Sequence, residues 1–241
     1  MRCFRLLSSV TLSSVVLLAS VTQAAIIVSS SSNNGTDTNF TPYTVSTTDL
    51  INGATAIAST GNFAVSFTIG LPVLTDGTFT IADDPEGRGA FADGGAGVGE
   101  SVTYSLGGNP LGYNVSSIDV YGGWTGEGRQ TQGYHVLYST AANPSTYLPL
   151  AERSAFGPGG AGKIGIKTTI SEDSLPFLAT AVANLRFDFD VAVPNGWSGY
   201  AEIDVFGAPV PEPGSAGSLL IGGMVLGLRS ARRPGTRKQR S

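Results

Sequence analysis

The chain has 241 residues, of which 13% are charged and 33 are glycine. Glycine is present at about twice its usual share of roughly 7%, which favours strands and turns over long helices. The formal net charge is −4, but residues 26–210 carry 17 acidic and six basic groups, a formal charge of −11. An acidic body repels nucleic acid, so the composition argues against a DNA- or RNA-binding role.

Residues 1–24 are predicted to be a signal peptide. Two arginines lie within the first five residues, a short apolar run follows, and the run ends in small residues suited to signal peptidase. We place cleavage between Ala24 and Ala25, in preference to a transmembrane or buried helix. The one cysteine, Cys3, lies in this leader, so the mature chain is expected to have no disulfide and no cysteine-ligated zinc.

Residues 25–39 are polar and low in complexity, which predicts a flexible segment leading into the domain. From residue 40 to 208, apolar and polar residues alternate in short runs separated by Gly, Pro, Asn and Asp. The predicted strands lie at 63–69, 77–81, 99–105, 113–121, 134–139, 164–168, 185–193 and 199–206. The pattern predicts an all-β fold, an antiparallel two-sheet sandwich of the jelly-roll kind, with eight or nine strands.

Two stretches share a pattern with a known class of β-sandwich. Residues 115–140 read VSSIDVYGGWTGEGRQTQGYHVLYST, and residues 200–207 read YAEIDVFG. They resemble the discoidin or galactose-binding-like jelly rolls, whose final strand often reads acidic-Ile-x-Val-aromatic-Gly. The resemblance implies a fold whose members bind sugars, lipids or proteins.

Aromatic and polar residues near two predicted loops form a candidate sugar-binding site. Exposed aromatic rings can stack on sugars while neighbouring polar groups bind the hydroxyls. The candidates are Tyr121, Trp124, Arg129, Gln132 and Trp197. In the alternative, which we favour, Trp124 packs over an edge of the sandwich and Arg129 pairs with a local acid.

An acidic cluster beside glycine turns is a candidate calcium site, formed by Asp83, Asp84, Glu86 and Asp93. Calcium prefers several oxygen ligands, often carboxylates and backbone carbonyls of a tight loop. The alternative is a solvated acidic turn. No other cofactor is predicted.

No catalytic residue is predicted, and we expect that the protein is not an enzyme. The single histidine, His135, is expected to be an exposed strand residue without a carboxylate partner, and no GxSxG motif occurs. The glycine-rich stretches 87–89 and 94–99 lack the following helix and the Lys-Ser/Thr pair of a phosphate loop.

The C-terminal segment, residues 209–241, has three parts. A proline-rich stretch at 209–213 is expected to be extended and exposed. An uncharged run follows at 214–228 and is predicted to form a short apolar helix. Its 15 residues would span about 22 Å against a hydrocarbon core of about 30 Å, so it suits a temporary membrane anchor. The basic tail 229–241 is expected to stay on the cytoplasmic side.

This tail resembles the PEP-CTERM sorting signal of bacteria that make exopolysaccharide. The residues that carry the resemblance are Pro211, Glu212, Pro213, Arg229, Arg232 and Arg233, together with the apolar run between them. It implies that an exosortase cuts near Pro-Glu-Pro and releases or transfers the protein. The apolar run is shorter and richer in glycine than the pattern requires, and a tail-anchored membrane protein is the alternative.

Together these features predict an exported bacterial protein of the cell surface or extracellular matrix. Its partners would be signal peptidase, an exosortase and extracellular polysaccharide, with the C-terminal segment in the inner membrane at least transiently. A structural or adhesive β-sandwich is the favoured role. A secreted carbohydrate-binding module is the alternative, and a secreted hydrolase is the third hypothesis.

Overall fold

The computed structural model describes residues 25–35, 39–61, 63, 70–79, 90–92, 100–125, 130–158, 162–194 and 198–212. The predicted signal peptide, the apolar segment 214–228 and the basic tail 229–241 lie outside these residues. Within the described part of the chain, no helix is long and apolar enough to cross a membrane.

The described residues form eleven strands and one short 3₁₀ helix, Leu71–Thr75. The strands are β1 Ile26–Gly35, β2 Ala58–Thr60, β3 Ala90–Ala92, β4 Glu100–Ser105, β5 Tyr113–Thr125, β6 Gln132–Thr140, β7 Asn143–Phe156, β8 Lys163–Glu172, β9 Ala179–Phe189, β10 Ser198–Tyr200 and β11 Glu202–Pro209.

All the strand pairings are antiparallel, and they resolve into two layers. One layer has the order β7-β6-β9-β4-β2, and the other has the order β1-β8-β5-β11. The layers join at one corner, where Tyr113 and Val115 of β5 pair with Val182 and Ala179 of β9. Strands β3 and β10 form a separate two-stranded ribbon. The predicted all-β antiparallel sandwich is confirmed.

The core lies between the two layers. Ile118 and Val120 of β5 belong to the same buried cluster as Phe187 and Phe189 of β9, because alternate residues of each strand face inward. Aromatic rings fill one end of this core. Tyr200 lies 4.5 Å from Phe189 and 5.9 Å from Tyr134, measured between ring centroids. This end of the core supports the site described below.

Residues 25–39 were expected to be flexible, and this expectation is wrong for most of the segment. Residues 26–35 form β1, which pairs with β8 along ten consecutive residues. Hydrogen bonding to the edge of a sheet uses backbone groups and needs no apolar side chains. Serine and asparagine therefore suffice, and the Ser30 hydroxyl adds a bond of 2.8 Å to the hydroxyl of Thr168.

The sequence gives little sign of β7, a strand of 14 residues. Most of its side chains are exposed, so it shows no alternation, and it contains Pro144 and Pro149, which are tolerated mainly in edge strands. In contrast, the predicted strand 77–81 is not a strand at residues 77–79. Phe79 instead packs as a loop residue against Tyr121. Most of the predicted strand 63–69 lies outside the described residues.

Candidate functional site

At the aromatic end of the core, one edge strand of each layer approaches the other. Strands β1 and β7 each pair on one side only within the described chain, and their edges approach each other at the margin of the sandwich. We call the space between these edges the inter-sheet slot. Its side chains come from four strands and from β10: Ser30, Gln132, Tyr134, Arg153, Phe156, Thr168 and Ser198.

The register between β6 and β7 places the slot residues of these strands on the inward face of the sheet. Tyr134 lies directly opposite Arg153 in the β6–β7 ladder, and Gln132 lies opposite Phe156. Opposing residues of an antiparallel pair share one face of the sheet. Since Tyr134 is fully buried in the core, this face is the inward one.

A chain of hydrogen bonds crosses the slot between the layers. The Thr168 hydroxyl donates to Gln132 Oε1 over 2.8 Å, and the Ser30 hydroxyl lies 2.8 Å from Thr168 Oγ1. Gln132 Nε2 points at the carbonyl of Val120 at 3.5 Å. These contacts fix the Gln132 amide, which is completely buried.

Three other polar atoms of the slot are buried without a hydrogen-bond partner in the described chain. They are the Tyr134 hydroxyl, the Ser198 hydroxyl and Arg153 Nε. Burial raises the pKa of Tyr134 well above its usual value, so its hydroxyl is neutral and able to donate. A buried polar group without a partner costs about 1–3 kcal/mol, and such groups mark places where water or a ligand completes the structure.

The structure buries three of the five predicted sugar-binding residues, so these three do not form an exposed stacking surface. Tyr121, Trp124 and Gln132 are 2%, 6% and 0% exposed. Tyr121 lies on the outer face of the second layer, where the rings of Tyr43 and Phe79 cover it at 6.0 and 6.2 Å. The alternation of apolar and polar residues in β5 gives no sign that Tyr43 and Phe79 cover Tyr121. Gln132 lies in the slot.

Arg129 and Trp197, the other two candidates, lie outside the described residues. Trp124 lies opposite Ile164 near the end of β5. Sugar binding by the five predicted residues stays a prediction.

A second cluster, which the sequence analysis missed, consists of buried carboxyl groups on the outer face of β11. Glu202 and Asp204 are both 0% exposed, and Asp204 lies opposite Asp119 of β5. The alternation of AEIDVF predicts that these acids face solvent. Residues 46 and 77 cover them instead: Ser46 N donates to Asp204 Oδ2 over 2.8 Å, and Gly77 N donates to Glu202 Oε2 over 3.1 Å.

The hydrogen bonds to these buried carboxyl groups do not replace all the contacts with water that burial removes. Glu202 Oε1 and Asp204 Oδ1 are buried without partners. Burial, and then the charge of Asp204, raise the pKa of Glu202 to about 9. Burial raises the pKa of Asp204 to about 6. Glu202 therefore holds a proton at neutral pH, while Lys167 neutralises Asp119 at 2.8 Å.

The predicted calcium ligands Asp83, Asp84, Glu86 and Asp93 lie outside the described residues. Within the described ranges, no three His, Cys, Asp or Glu side chains are placed to hold a metal ion. Calcium binding stays a prediction.

His135 has carboxylate partners, which corrects the expectation that it has none. Its Nδ1 lies 2.6 Å from Asp190 Oδ1, and its Nε2 lies 3.6 Å from Glu152 Oε2. The hydrogen bond to Asp190 raises the pKa of His135. Both partners are distant in sequence, one on β7 and one just after β9, so only the fold brings them together. The side chain is 41% exposed, as expected for the outer face of a strand.

A cleft of about 340 Å³ lies beside the 3₁₀ helix. Its walls are formed by residues 53–56, Ser59, Leu71, Pro72, Thr75 and Asp76. This volume is at the lower end of the range of about 300–1,000 Å³ found for small-molecule sites. The walls are mostly apolar, and the cleft has no buried polar atom without a partner to indicate what it binds.

The last described strand ends just before the predicted sorting motif. Strand β11 ends at Pro209, and Val210 N donates to the carbonyl of Gly112 over 2.9 Å. Pro211 and Glu212, the first residues of the predicted sorting motif, are exposed. Pro213 and the arginines 229, 232 and 233 lie outside the described residues, as does Ala24, while Ala25 is exposed.

No protein-family model matches the chain, and no curated protein matches it. Seventeen chains of solved structures match. One is chitosan-binding module 1 of a chitosanase/glucanase from Paenibacillus sp. IK-5, with 17% identity, 66% of this chain and 99% of that chain covered, and a TM-score of 0.38. Another is the family 32 carbohydrate-binding module of C. perfringens NanJ, solved with galactose, with 15% identity, 75% and 92% coverage, and a TM-score of 0.34.

An F5/8 type C domain from Bacteroides fragilis also matches, with 13% identity, 54% and 79% coverage, and a TM-score of 0.32. Two of these proteins are carbohydrate-binding modules and the third is an F5/8 type C domain. Their identities and scores are too low to transfer a ligand or a site to this chain.

Proposed function

We propose that this chain is an exported, non-catalytic protein of the cell surface or extracellular matrix, and that its β-sandwich binds polysaccharide in the inter-sheet slot. The observation that carries the proposal is the set of three buried polar atoms without partners, on Tyr134, Arg153 and Ser198. They lie at the margin where β1 and β7 approach each other, beside the partly exposed side chains of Arg153 and Phe156, and this is where we propose that a ligand binds.

The chemistry of the slot fits a sugar better than an apolar ligand. A sugar ring carries hydroxyl groups that both donate and accept hydrogen bonds, which suits Tyr134 and Ser198. Phe156 is only half-buried and offers an aromatic surface beside them. Small-molecule sites typically combine such an apolar surface with a few polar groups that fix orientation. The similar solved structures include modules described as binding chitosan or galactose.

Replacing Tyr134 by phenylalanine tests the slot. The variant loses a buried hydroxyl without a partner, so we expect stability to be unchanged or to rise by about 1 kcal/mol. Glycan affinity should fall about tenfold, since about 1.4 kcal/mol of bonding to the ligand is lost. A glycan array of the full chain would select the probe, and calorimetry would measure affinity.

Tyr147→Phe on β7 is the matched control, because the Tyr147 side chain is on the largely exposed edge strand. Undiminished binding by Tyr134→Phe would overturn the slot as the site. The absence of binding to every glycan on the array would leave a purely structural role.

Export and tail processing are part of the proposal, and both rest on the sequence. Supporting them, the described fold ends before an exposed Pro211-Glu212, where an enzyme could grip an extended chain. We expect protein recovered from its native host to start near Ala25 and to end near Pro213. Intact mass and C-terminal peptide mapping would measure this. A chain that retains residues 229–241 would indicate a tail-anchored protein and overturn exosortase sorting.

A further inference from the structure

We propose that the polysaccharide is acidic and that Arg153 recognises its carboxylate groups. This inference rests on the proposed function and names the ligand class of the same slot. A uronic-acid polymer, in which sugar rings carry both hydroxyl and carboxylate groups, has the chemistry that would satisfy the three atoms.

Among the residues that the structure describes, Arg153 has no acidic partner, whereas Lys167 and Arg186 each have one. Lys167 Nζ lies 2.8 Å from Asp119, and Arg186 bonds to Asp188. No carboxylate of the described chain lies within ion-pair distance of Arg153, although the body of the protein carries far more acids than bases. Within the described part of the chain, the Arg153 guanidinium therefore has no carboxylate that would compete with an external anion.

The surroundings of Arg153 favour the binding of an anion beside its guanidinium. Burial lowers the pKa of Arg153, because removing water from the guanidinium disfavours its charge. Its Nε–H is buried and has no acceptor. A carboxylate in the slot would supply both an acceptor and a countercharge, and charge-assisted bonds of this type are stronger than neutral ones.

The geometry of Arg153 suits a planar acid. Its Cζ lies 4.6 Å from the centroid of the Phe156 ring, so the aromatic face supports the guanidinium. The opposing position on β6 is Tyr134, whose hydroxyl also lacks a partner. Arginine binds carboxylates through two parallel N–H groups, and a neighbouring hydroxyl can bind the same sugar unit.

The charge of the whole domain gives the interaction a distinctive salt dependence. Residues 26–210 have a formal charge of −11, which repels a polyanion over long distances. The screening length falls from about 30 Å at about 0.01 M salt to about 10 Å at about 0.1 M. Since the contact within the slot is short and partly buried, affinity should rise over this range. A non-specific basic surface would show the opposite trend.

The test compares polygalacturonate with the same polymer after methyl esterification, which removes the charge and keeps the sugar rings. The full chain would be titrated with each polymer by calorimetry at the two salt concentrations. We expect the acid form to bind at least about tenfold more tightly. Arg153→Gln should abolish this preference, Arg153→Lys should retain part of it, and Arg186→Gln should leave it unchanged because Arg186 is paired on the outer face.

Each result decides the inference. Equal binding of the two polymers, or an acid preference that survives in Arg153→Gln, would overturn it. If both polymers bind equally and Tyr134→Phe still weakens binding, the slot remains a glycan site and only the acidic specificity is wrong. If neither polymer binds, the acidic specificity is wrong, and the glycan array decides the proposed function separately. Thermal melting of each variant confirms that it is folded.

Discussion

Replacing Glu202 by glutamine is expected to stabilise the protein above neutral pH. The Glu202 carboxyl is completely buried on the outer face of β11, and one of its oxygens has no partner. Its pKa is raised to about 9, from an ordinary value of 4.5, because burial and the neighbouring Asp204 oppose its charge. Glutamine keeps the shape and an acceptor for Gly77 N, and it never carries a charge.

The direction in which stability changes with pH follows from the number of protons that the folded and unfolded states bind at Glu202. Between pH 4.5 and about pH 9 the folded protein binds more protons at Glu202 than the unfolded chain does, so stability falls as pH rises through this window. One pKa unit corresponds to about 1.4 kcal/mol, and the loss at pH 7 is therefore about 3 kcal/mol. The Glu202→Gln variant should recover most of it at pH 7 and nothing at pH 4. The smaller pH dependence from Asp204, with its pKa of about 6, should remain.

Denaturant unfolding at pH 4, 7 and 9 would measure these differences. Glu212→Gln is the control, because the Glu212 side chain is exposed at the end of the described chain. The series should be run in chelator and again with calcium, which also tests the predicted calcium site at Asp83, Asp84, Glu86 and Asp93. A variant less stable than the natural protein at pH 9 in chelator would contradict the interpretation that Glu202 is protonated. A melting temperature unchanged by calcium would contradict a calcium site.

Replacing Phe189 by alanine is expected to have the largest effect on the fold. Phe189 is completely buried, and its ring lies 5.8 Å from Phe63, 6.2 Å from Tyr134 and 4.5 Å from Tyr200. A Phe→Ala change in a core costs about 3–5 kcal/mol, because contacts are lost and a cavity remains. That is a large part of a typical stability of about 5–15 kcal/mol.

Glycan binding should fall with stability in this variant, since Phe189 packs against the Tyr134 ring whose hydroxyl faces the slot. Leu175→Ala is the control, because Leu175 is 56% exposed and should change stability by less than about 0.5 kcal/mol. Equilibrium unfolding in urea would measure the change in stability of both variants. A loss below about 1 kcal/mol for Phe189→Ala would mean that the aromatic end of the core is loosely packed.

Local sequence patterns predicted the strands that have one apolar face and one polar face. In β9 the inward Leu185, Phe187 and Phe189 alternate with Arg186 and Asp188, and the structure confirms this strand. Alternation also predicted β6 and β8, and the further strands predicted at 99–105, 113–121 and 199–206 correspond to β4, β5 and β11. Strands β1 and β7 were not found, because edge strands with polar or exposed side chains are held by backbone hydrogen bonds that leave no periodic signal.

The sequence by itself determined the fold class and the acidic balance of the domain, because alternation and composition are local properties. It also supplied the prediction of two processed ends. Only the tertiary structure decided which polar residues are buried. Glu202 and Asp204 follow the alternation of a solvent-facing row, and distant residues cover them. Tyr134 and Arg153 meet because β6 and β7 pair in one register, and among the described residues the Tyr134 hydroxyl and Arg153 Nε are buried without partners. Burial and pairing depend on the whole chain, which is why no short motif could indicate this site.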